Sequence, residues 1–482
     1  MKKNIGRYLS PDDIENIYAA ELEILSDLGI RVEHESALDL LEDAGAIVDR
    51  DSRVVRMKSD LVETCLSKIP RQVTLAGRDP DQDCLLTTHQ EAFYTRTQTG
   101  SEMYADPETN VVRQATMTDL KKWMRLQDAL NYDIATVIYP DPQDQDVPLG
   151  IRDVLVVKTA FESSVKPVII GPYDGNSLKY MIELCLALRG SKQALRKRPP
   201  LSILIASISP LILPENQVEM ILMGCEYGIP LELFQMPMAG MSAPATIAGV
   251  LTVSGAELLA MNVIAQLARP HSAVIFAPRT GYLNMSLGVY AVGLEYGIIS
   301  AAQVQMAHEK YGLPADVFGP HSTSAVNDSQ AAIESLFGSI FASFAGASII
   351  GGAGSLEGGR TVDPVQALIA DEILKMEAKA TLGFEVNADT LGLEALREVG
   401  IGKDFLSSAH TLKHFRNEFY HCPLFDMRIR PEWEKQGAKD MQERAREKAV
   451  LLMNEHHPEP LDADIEKEMD KIIRHAGSCE AA

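Results

Sequence analysis

From about residue 93 to residue 382 the chain repeats one pattern: a short apolar run, a polar loop, then a helical stretch. The runs begin at Phe93, Ile134, Pro167, Leu201, Leu231, Ser272, Ala315 and Ala347. They fall roughly 30 to 40 residues apart, the spacing of a β-α unit. Short unbroken apolar runs read as parallel strands buried on both faces. Eight such units predict an α/β fold, an eight-stranded parallel (β/α)8 barrel of the TIM type. A doubly wound open sheet is the alternative. The barrel is favoured because the count closes at eight and no GxGxxG phosphate loop follows the first run. The first strand is the least apolar, since Phe93-Tyr94-Thr95-Arg96 alternates.

The intervening helices are expected at Met117 to Leu130 with Thr118 as N-cap, Leu287 to Tyr311, Ser329 to Ala345 behind Asn327 and Asp328, and Asp363 to Leu382, among others. Three sections follow: an N-terminal α/β cap or oligomerisation segment over 1–90, a catalytic barrel over 91–384, and a C-terminal helical appendage over 385–482. The N-terminal section opens on a helix from Pro11 to Leu28, capped by Ser10 and stopped at Gly29. In the appendage, Asp404 to Phe419, Pro431 to His456 and Pro458 to Arg474 read as polar helices whose charged faces are solvated or subunit-facing, which fits a homo-oligomer.

The net charge of -22 argues against nucleic acid and anionic membranes as partners. No run of ~18 uncharged apolar residues suggests a membrane span, and Met1-Lys2-Lys3 leads into polar sequence, so a cytoplasmic protein is expected. The six cysteines, Cys65, Cys84, Cys185, Cys225, Cys422 and Cys479, are scattered without a CxxC and read as reduced thiols.

In a parallel barrel the working groups sit at the carboxyl ends of strands. Those positions hold Tyr94, Arg96 and Gln98; Tyr139 and Asp141; Tyr173; Ser207 and Ser209; Gln235 and Met238; Arg279 and Tyr282; His321 and Ser322; and Gly352, Gly354 and Glu357. The set lacks the acid pair of a glycosidase, a three-ligand metal set and a lysine placed for a Schiff base. Tyr94, Tyr139 and Tyr282 could form an aromatic box for a quaternary ammonium, at roughly 0.5 to 2 kcal/mol per contact, or be ordinary core and rim residues. Gln98 and Gln235 are candidate substrate contacts, and Arg279 or Arg360 could fork onto a carboxylate. His321 follows a strand end in a polar loop and is the candidate catalytic residue. His410 and His414, one helical turn apart, could suggest zinc, but no HExxH is present and Cys422 stands alone, so packing or a dimer contact is favoured. Gly351-Gly352-Ala353-Gly354 fits either a phosphate cradle or close packing, and Met236, Met238 and Met241 fit core or rim.

Asp328-Ser329-Gln330-Ala331-Ala332-Ile333-Glu334 resembles the DxQAxxE signature of the trimethylamine methyltransferase family. Thr118-Asp119-Leu120, Pro364-Val365-Gln366-Ala367 and His410-Thr411-Leu412-Lys413-His414-Phe415 are similar to the family in order and spacing, over about residues 10 to 475. The resemblance implies an eight-stranded barrel that moves a methyl group from an amine to the cobalt of a separate corrinoid protein. It implies no permanently bound cofactor. Trimethylamine-specific members carry pyrrolysine near the end of the seventh strand, where this chain has only standard residues, His321 to Val326. The resemblance is therefore to the branch acting on quaternary amines such as glycine betaine, proline betaine and carnitine. Two other readings compete: a barrel lyase or hydrolase acting on a small anion through His321, and a non-catalytic betaine- or corrinoid-protein-binding protein.

Overall fold

The computed structural model describes residues 6–141 and 150–480, with the side chains of 479 and 480, Cys479 among them, outside the description. Strands occupy all eight apolar runs: β1 Tyr94–Thr97, β2 Ala135–Thr136, β3 Val168–Ile170, β4 Leu201–Ala206, β5 Leu231–Phe234, β6 Val274–Phe276, β7 Asp316–Phe318 and β8 Ile349–Ala353. Strands β2 to β6 make one all-parallel sheet in chain order. Strands β7, β8 and β1 make a second, also parallel. A parallel bridge between Arg96 and Ile134 sets β1 against β2, and one between Phe276 and Ala315 sets β6 against β7. No strand order reverses, as a doubly wound sheet would require.

The helices between them are α1 Met117–Ala129, α2 Arg152–Ser163, α3 Gly175–Arg189, α4 Glu215–Tyr227, α5 Ile247–Ala268, α6 Leu294–Gln305, α7 Ser329–Ala345 and α8 Pro364–Leu382. Helix α1 is capped by Thr116, not Thr118: its hydroxyl accepts from the Asp119 amide while Asp119 accepts from the Thr116 amide. Helix α6 starts seven residues later than expected, because Gly281–Asn284 and Val289–Ala291 pair as a hairpin. Gly288 at φ +67° and Gly293 at φ +128° are its turn and the break before the helix. The expected helix from Pro431 to His456 is two, Arg430–Lys435 and Met441–Glu455, since Gly437 sits at φ +96° and Asp440 opens a new capping box with Glu443.

Helix α5 is long and apolar enough by composition to cross a membrane, yet it is a core helix, buried around Glu257. N-terminal helices Pro11–Glu23, Glu35–Asp43 and Ser59–Leu66 pack over it. Strand Ile30–Val32 ties that section down by pairing in parallel with Ile212–Leu213, just after β4. Hairpin Val73–Leu75 and Cys84–Leu86 closes the amino ends of the strands, packing on Ile134, Ile169, Ile275 and Ile349. C-terminal helix Met441–Glu455 lies between α8 and α1.

Between α7 and α8 the Ser339 hydroxyl donates to Glu377 at 2.5 Å, and burial pushes that carboxyl up to about 8. The native state therefore keeps a proton that the unfolded chain releases near 4.5, so Glu377 lowers stability progressively as pH rises through that window. Glu377→Gln is expected to raise the melting temperature relative to wild type at about pH 8 and to lose that advantage at about pH 5. Thermal denaturation at the two pH values checks it, and an advantage independent of pH would contradict the assignment.

Candidate active site

Above the isoleucine layer the strands turn polar. Asp316 of β7, fully buried, accepts from Arg96 Nε at 2.9 Å and Nη2 at 2.7 Å, both on Oδ2. Arg279, just past β6, donates to the same oxygen through Nη2 at 2.9 Å. Its Nη1 donates to the Asp316 carbonyl at 2.6 Å and the Pro278 carbonyl at 2.9 Å. The Arg279 guanidinium lies 4.0 Å from the Phe318 ring centroid and Arg96 lies 5.1 Å from it. Burial would lift the Asp316 pKa, but the two guanidiniums hold it below the usual carboxylate range. Glu232 of β5, also fully buried beside Asp316, is pushed well above its ordinary value, first by burial and then by that neighbouring charge. Two guanidiniums thus face the Asp316 carboxylate and a Glu232 carboxyl whose charged form is disfavoured.

Glycine at 351 follows from this cluster: a Cβ there would stand 2.5 Å from the centre of the Arg96 guanidinium. Strand β8 shifts register just beyond, between Ile350 and Ala353, with Gly352 at φ +99°. The glycine run therefore admits a buried arginine.

A cavity of about 260 Å³ opens above the cluster. Its walls include Arg96, Gln98, Phe234, Met236, Arg279, Tyr290, Phe318, His321 and the Gly358-Gly359 turn. His321 Nδ1 is 2.8 Å from Ser355 Oγ, and Nε2 has no protein partner. Burial, and secondarily Arg279, depress the imidazole to about 3, so it is neutral at ordinary pH. Its ring lies 5.4 Å from Phe318 and 6.1 Å from Tyr290. Gln98 Oε1 and Arg279 Nε are likewise buried without protein partners.

The His321 loop is held from below. Glu334, on α7, accepts from Ser322 Oγ and the Thr323 amide, each at 2.7 Å, and from Thr323 Oγ1 at 3.0 Å. Asp328 caps the same helix through the Gln330 and Ala331 amides. The DxQAxxE pattern is thus a cap and a clamp that fix the loop to the helix start.

Of the residues singled out in the sequence, Arg96, Gln98, Met236, Arg279 and His321 line this cavity. Arg279 is not a free fork, because its terminal nitrogens are taken by Asp316 and Pro278. Tyr94 begins β1 and so sits at the opposite end, where its oxygen accepts from the Leu85 amide. Tyr139 lies behind Gly100 and donates to the Gly171 carbonyl at 2.6 Å. Gln235 is buried, with Nε2 on the Leu233 carbonyl. Tyr282 is on the hairpin before α6 and reaches Glu295 at 3.4 Å, and the Arg360 side chain is exposed. The rings at the cavity are Phe234, Tyr290 and Phe318 instead. Asp316 and Glu232 were missed, although an acid inside an apolar strand run is itself a signal of a buried polar cluster. Among the described residues no group of three or more His, Cys, Asp or Glu side chains is arranged to hold a metal, and the His410 and His414 rings lie tilted against each other, 4.4 Å apart, far along the chain.

A ring-walled cavity at strand carboxyl ends, with the polar atoms Gln98 Oε1, Arg279 Nε and His321 Nε2 left open, is the setting of a small-molecule site that works by binding and positioning. The chain belongs to the trimethylamine methyltransferase (MTTB) family, whose profile matches residues 2–478, and it is a methyltransferase. It is 31% identical over 465 residues to trimethylamine methyltransferase MttB of Desulfitobacterium hafniense, covering 96% of this chain and 92% of that one. It is 26% identical to the glycine betaine methyltransferase of the same species, covering 97% of each. The monomethylamine methyltransferase MtmB of Methanosarcina barkeri has a similar fold, with a TM-score of 0.51 at 14% identity over 99% of this chain and 89% of that one. Family membership removes both the lyase or hydrolase reading and the non-catalytic one. The depressed His321 is also a poor general base near neutral pH.

Removing the shared carboxylate would leave two buried guanidiniums facing each other. Asp316→Ala is expected to destabilise the fold by about 3–5 kcal/mol, read from denaturant unfolding. A loss below about 1 kcal/mol would mean that the cluster is solvated.

Proposed function

We propose that this chain moves a methyl group from a betaine-type quaternary amine, of the glycine betaine, proline betaine or carnitine class, to the cobalt(I) of a corrinoid carried by a separate protein. The observation that carries this reading is the pair of guanidiniums beneath a ring-walled cavity: Arg96 and Arg279 share the single carboxylate oxygen of Asp316, and burial disfavours the charged form of Glu232 beside it. A betaine is the complement of that arrangement. Its carboxylate faces the positive floor, met by Arg279 Nε and His321 Nε2, the two nitrogens without protein partners. Its ammonium lies among Phe234, Tyr290 and Phe318, where ring faces attract a cation.

The nitrogen of such a substrate is already cationic. When its bond to a methyl carbon breaks, the bonding pair stays on nitrogen and the tertiary amine leaves neutral. The corrinoid, as the accepting substrate, supplies the pair for the new carbon–cobalt bond. No proton moves, which suits a cavity whose histidine is neutral across ordinary pH. What remains for the protein is to bind the cation, aim one methyl at the opening and exclude water. Standard residues from His321 to Val326 support a quaternary over a tertiary substrate, and a glycine betaine methyltransferase is among the chain's relatives.

For the scaffold, we read the two parallel sheets, bridged at both seams, as one closed eight-stranded barrel. Residues 1–90 act as its cap and 385–482 as its helical appendage. The accepting protein is taken to lie across the carboxyl ends of the strands, where Met236, Met241, Met285 and Leu287 are exposed.

Mixing the purified chain with a reduced corrinoid protein and a panel of betaines, trimethylamine and tetramethylammonium should give the methylcobalt spectrum with a betaine. Silence with every quaternary amine, given a competent partner, would overturn the proposal. Arg279→Ala is expected to cost about 2–4 kcal/mol of betaine affinity by calorimetry and to leave tetramethylammonium nearly unchanged, while Arg360→Ala leaves both unchanged. Equal losses for the two ligands would remove the carboxylate-binding role.

A further inference from the structure

Helices Leu393–Val399 and Ala409–Glu418 contain no buried residue. They belong to an arm, Leu382 to Ile429, in which Cys422 and Leu424 alone are buried. Fifteen large apolar side chains are exposed along this arm, against twenty in all the other described residues. Ile401 is fully exposed, and Leu406, Phe384 and Met427 are 88%, 80% and 77% exposed. At aromatic and aliphatic side-chain sizes the exposed apolar surface is on the order of 1,500 Å². Summed over the arm, that is more than the ~800 Å² per partner that a stable complex needs. Polar ties give the arm its shape without a core: Lys413 Nζ to Asp389 at 2.6 Å, and His410 Nε2 to the Asp389 carbonyl at 3.0 Å. A cleft of about 380 Å³ between Phe384, Leu391, Phe415 and Phe419 opens to solvent.

We propose that this arm is a self-association surface, seated on the same arm of a second copy of this chain. Three observations select that occupant. The apolar area is the size of a permanent contact, whereas a partner that must land and leave during turnover needs a smaller one. The arm has seven acidic and five basic residues in a chain of net charge -22, so it is a nearly neutral strip on which two acidic copies can meet. An anionic lipid surface would instead select a basic strip. Finally, the arm leaves the far end of α8, and none of its residues lines the candidate active site, so pairing leaves the cavity mouth open. A two-fold contact is self-complementary, and the open cleft of each arm would take apolar side chains of the other.

Sedimentation equilibrium on the full chain tests this without reference to activity. At about 10 µM the wild type should run as a dimer or a higher even multiple of 52.8 kDa. Ile401→Glu with Leu406→Glu should weaken association at least about tenfold while the near-ultraviolet dichroism is kept. Leu28→Glu, at an exposed site outside the arm, should leave the mass unchanged. If the double variant misfolds, Phe384→Ser with Met427→Lys supplies the same readout. A monomeric wild type, an assembly indifferent to both arm variants, or wild-type chain that floats with lipid vesicles in place of pairing would overturn the proposal.

Discussion

One carboxylate organises the interior. Asp316 lies on β7, Arg96 comes from β1, and Arg279 follows β6, so a single charge joins strands across the place where the two sheets meet. Taking three charges out of water is costly, and a buried cluster of this kind seldom stabilises a fold more than well-packed apolar side chains would. What it supplies is orientation. The Phe318 ring is pinned by two guanidiniums, Gly351 yields to Arg96, and Arg279 has a single nitrogen left for the cavity.

The rest of the site follows from that floor. With Asp316 committed to both arginines, the wall above combines rings, the neutral His321 imidazole, the Gln98 amide and the open Nε edge of Arg279. The His321 loop needs a second anchor, since it hangs beyond the end of a three-residue strand. Glu334 supplies it from α7, so the helix that packs the outside of the fold also sets the angle of the imidazole inside. Positioning and chemistry are thereby separated: charged groups hold the walls, and the surface a ligand meets does not titrate near neutral pH.

The alternation of apolar runs with helices was legible because parallel strands buried on both faces leave no other signature. The Asp328 cap and the start of α7 were likewise plain in the residues. The hairpin ahead of α6 was hidden because Val289, Tyr290 and Ala291 fit a helix as well as a strand, and only the glycines on either side betrayed it. That miss also concealed Tyr290, a ring of the cavity. Tyr94 was misplaced for a geometric reason: in a four-residue strand, the difference between its first and last residue is the difference between floor and mouth. Asp316 and Glu232 were absorbed into apolar runs, so the central charges were the least visible feature of all.

The hairpin of Val73, Leu75, Cys84 and Leu86 fills the amino ends of the strands, and the cavity lies at the other end, among residues at their carboxyl ends. Under the proposed chemistry, the protein that accepts the methyl stands at the carboxyl ends. An acceptor that covers that end would impose an order on traffic, with the amine entering before it lands and the product leaving after it lifts away.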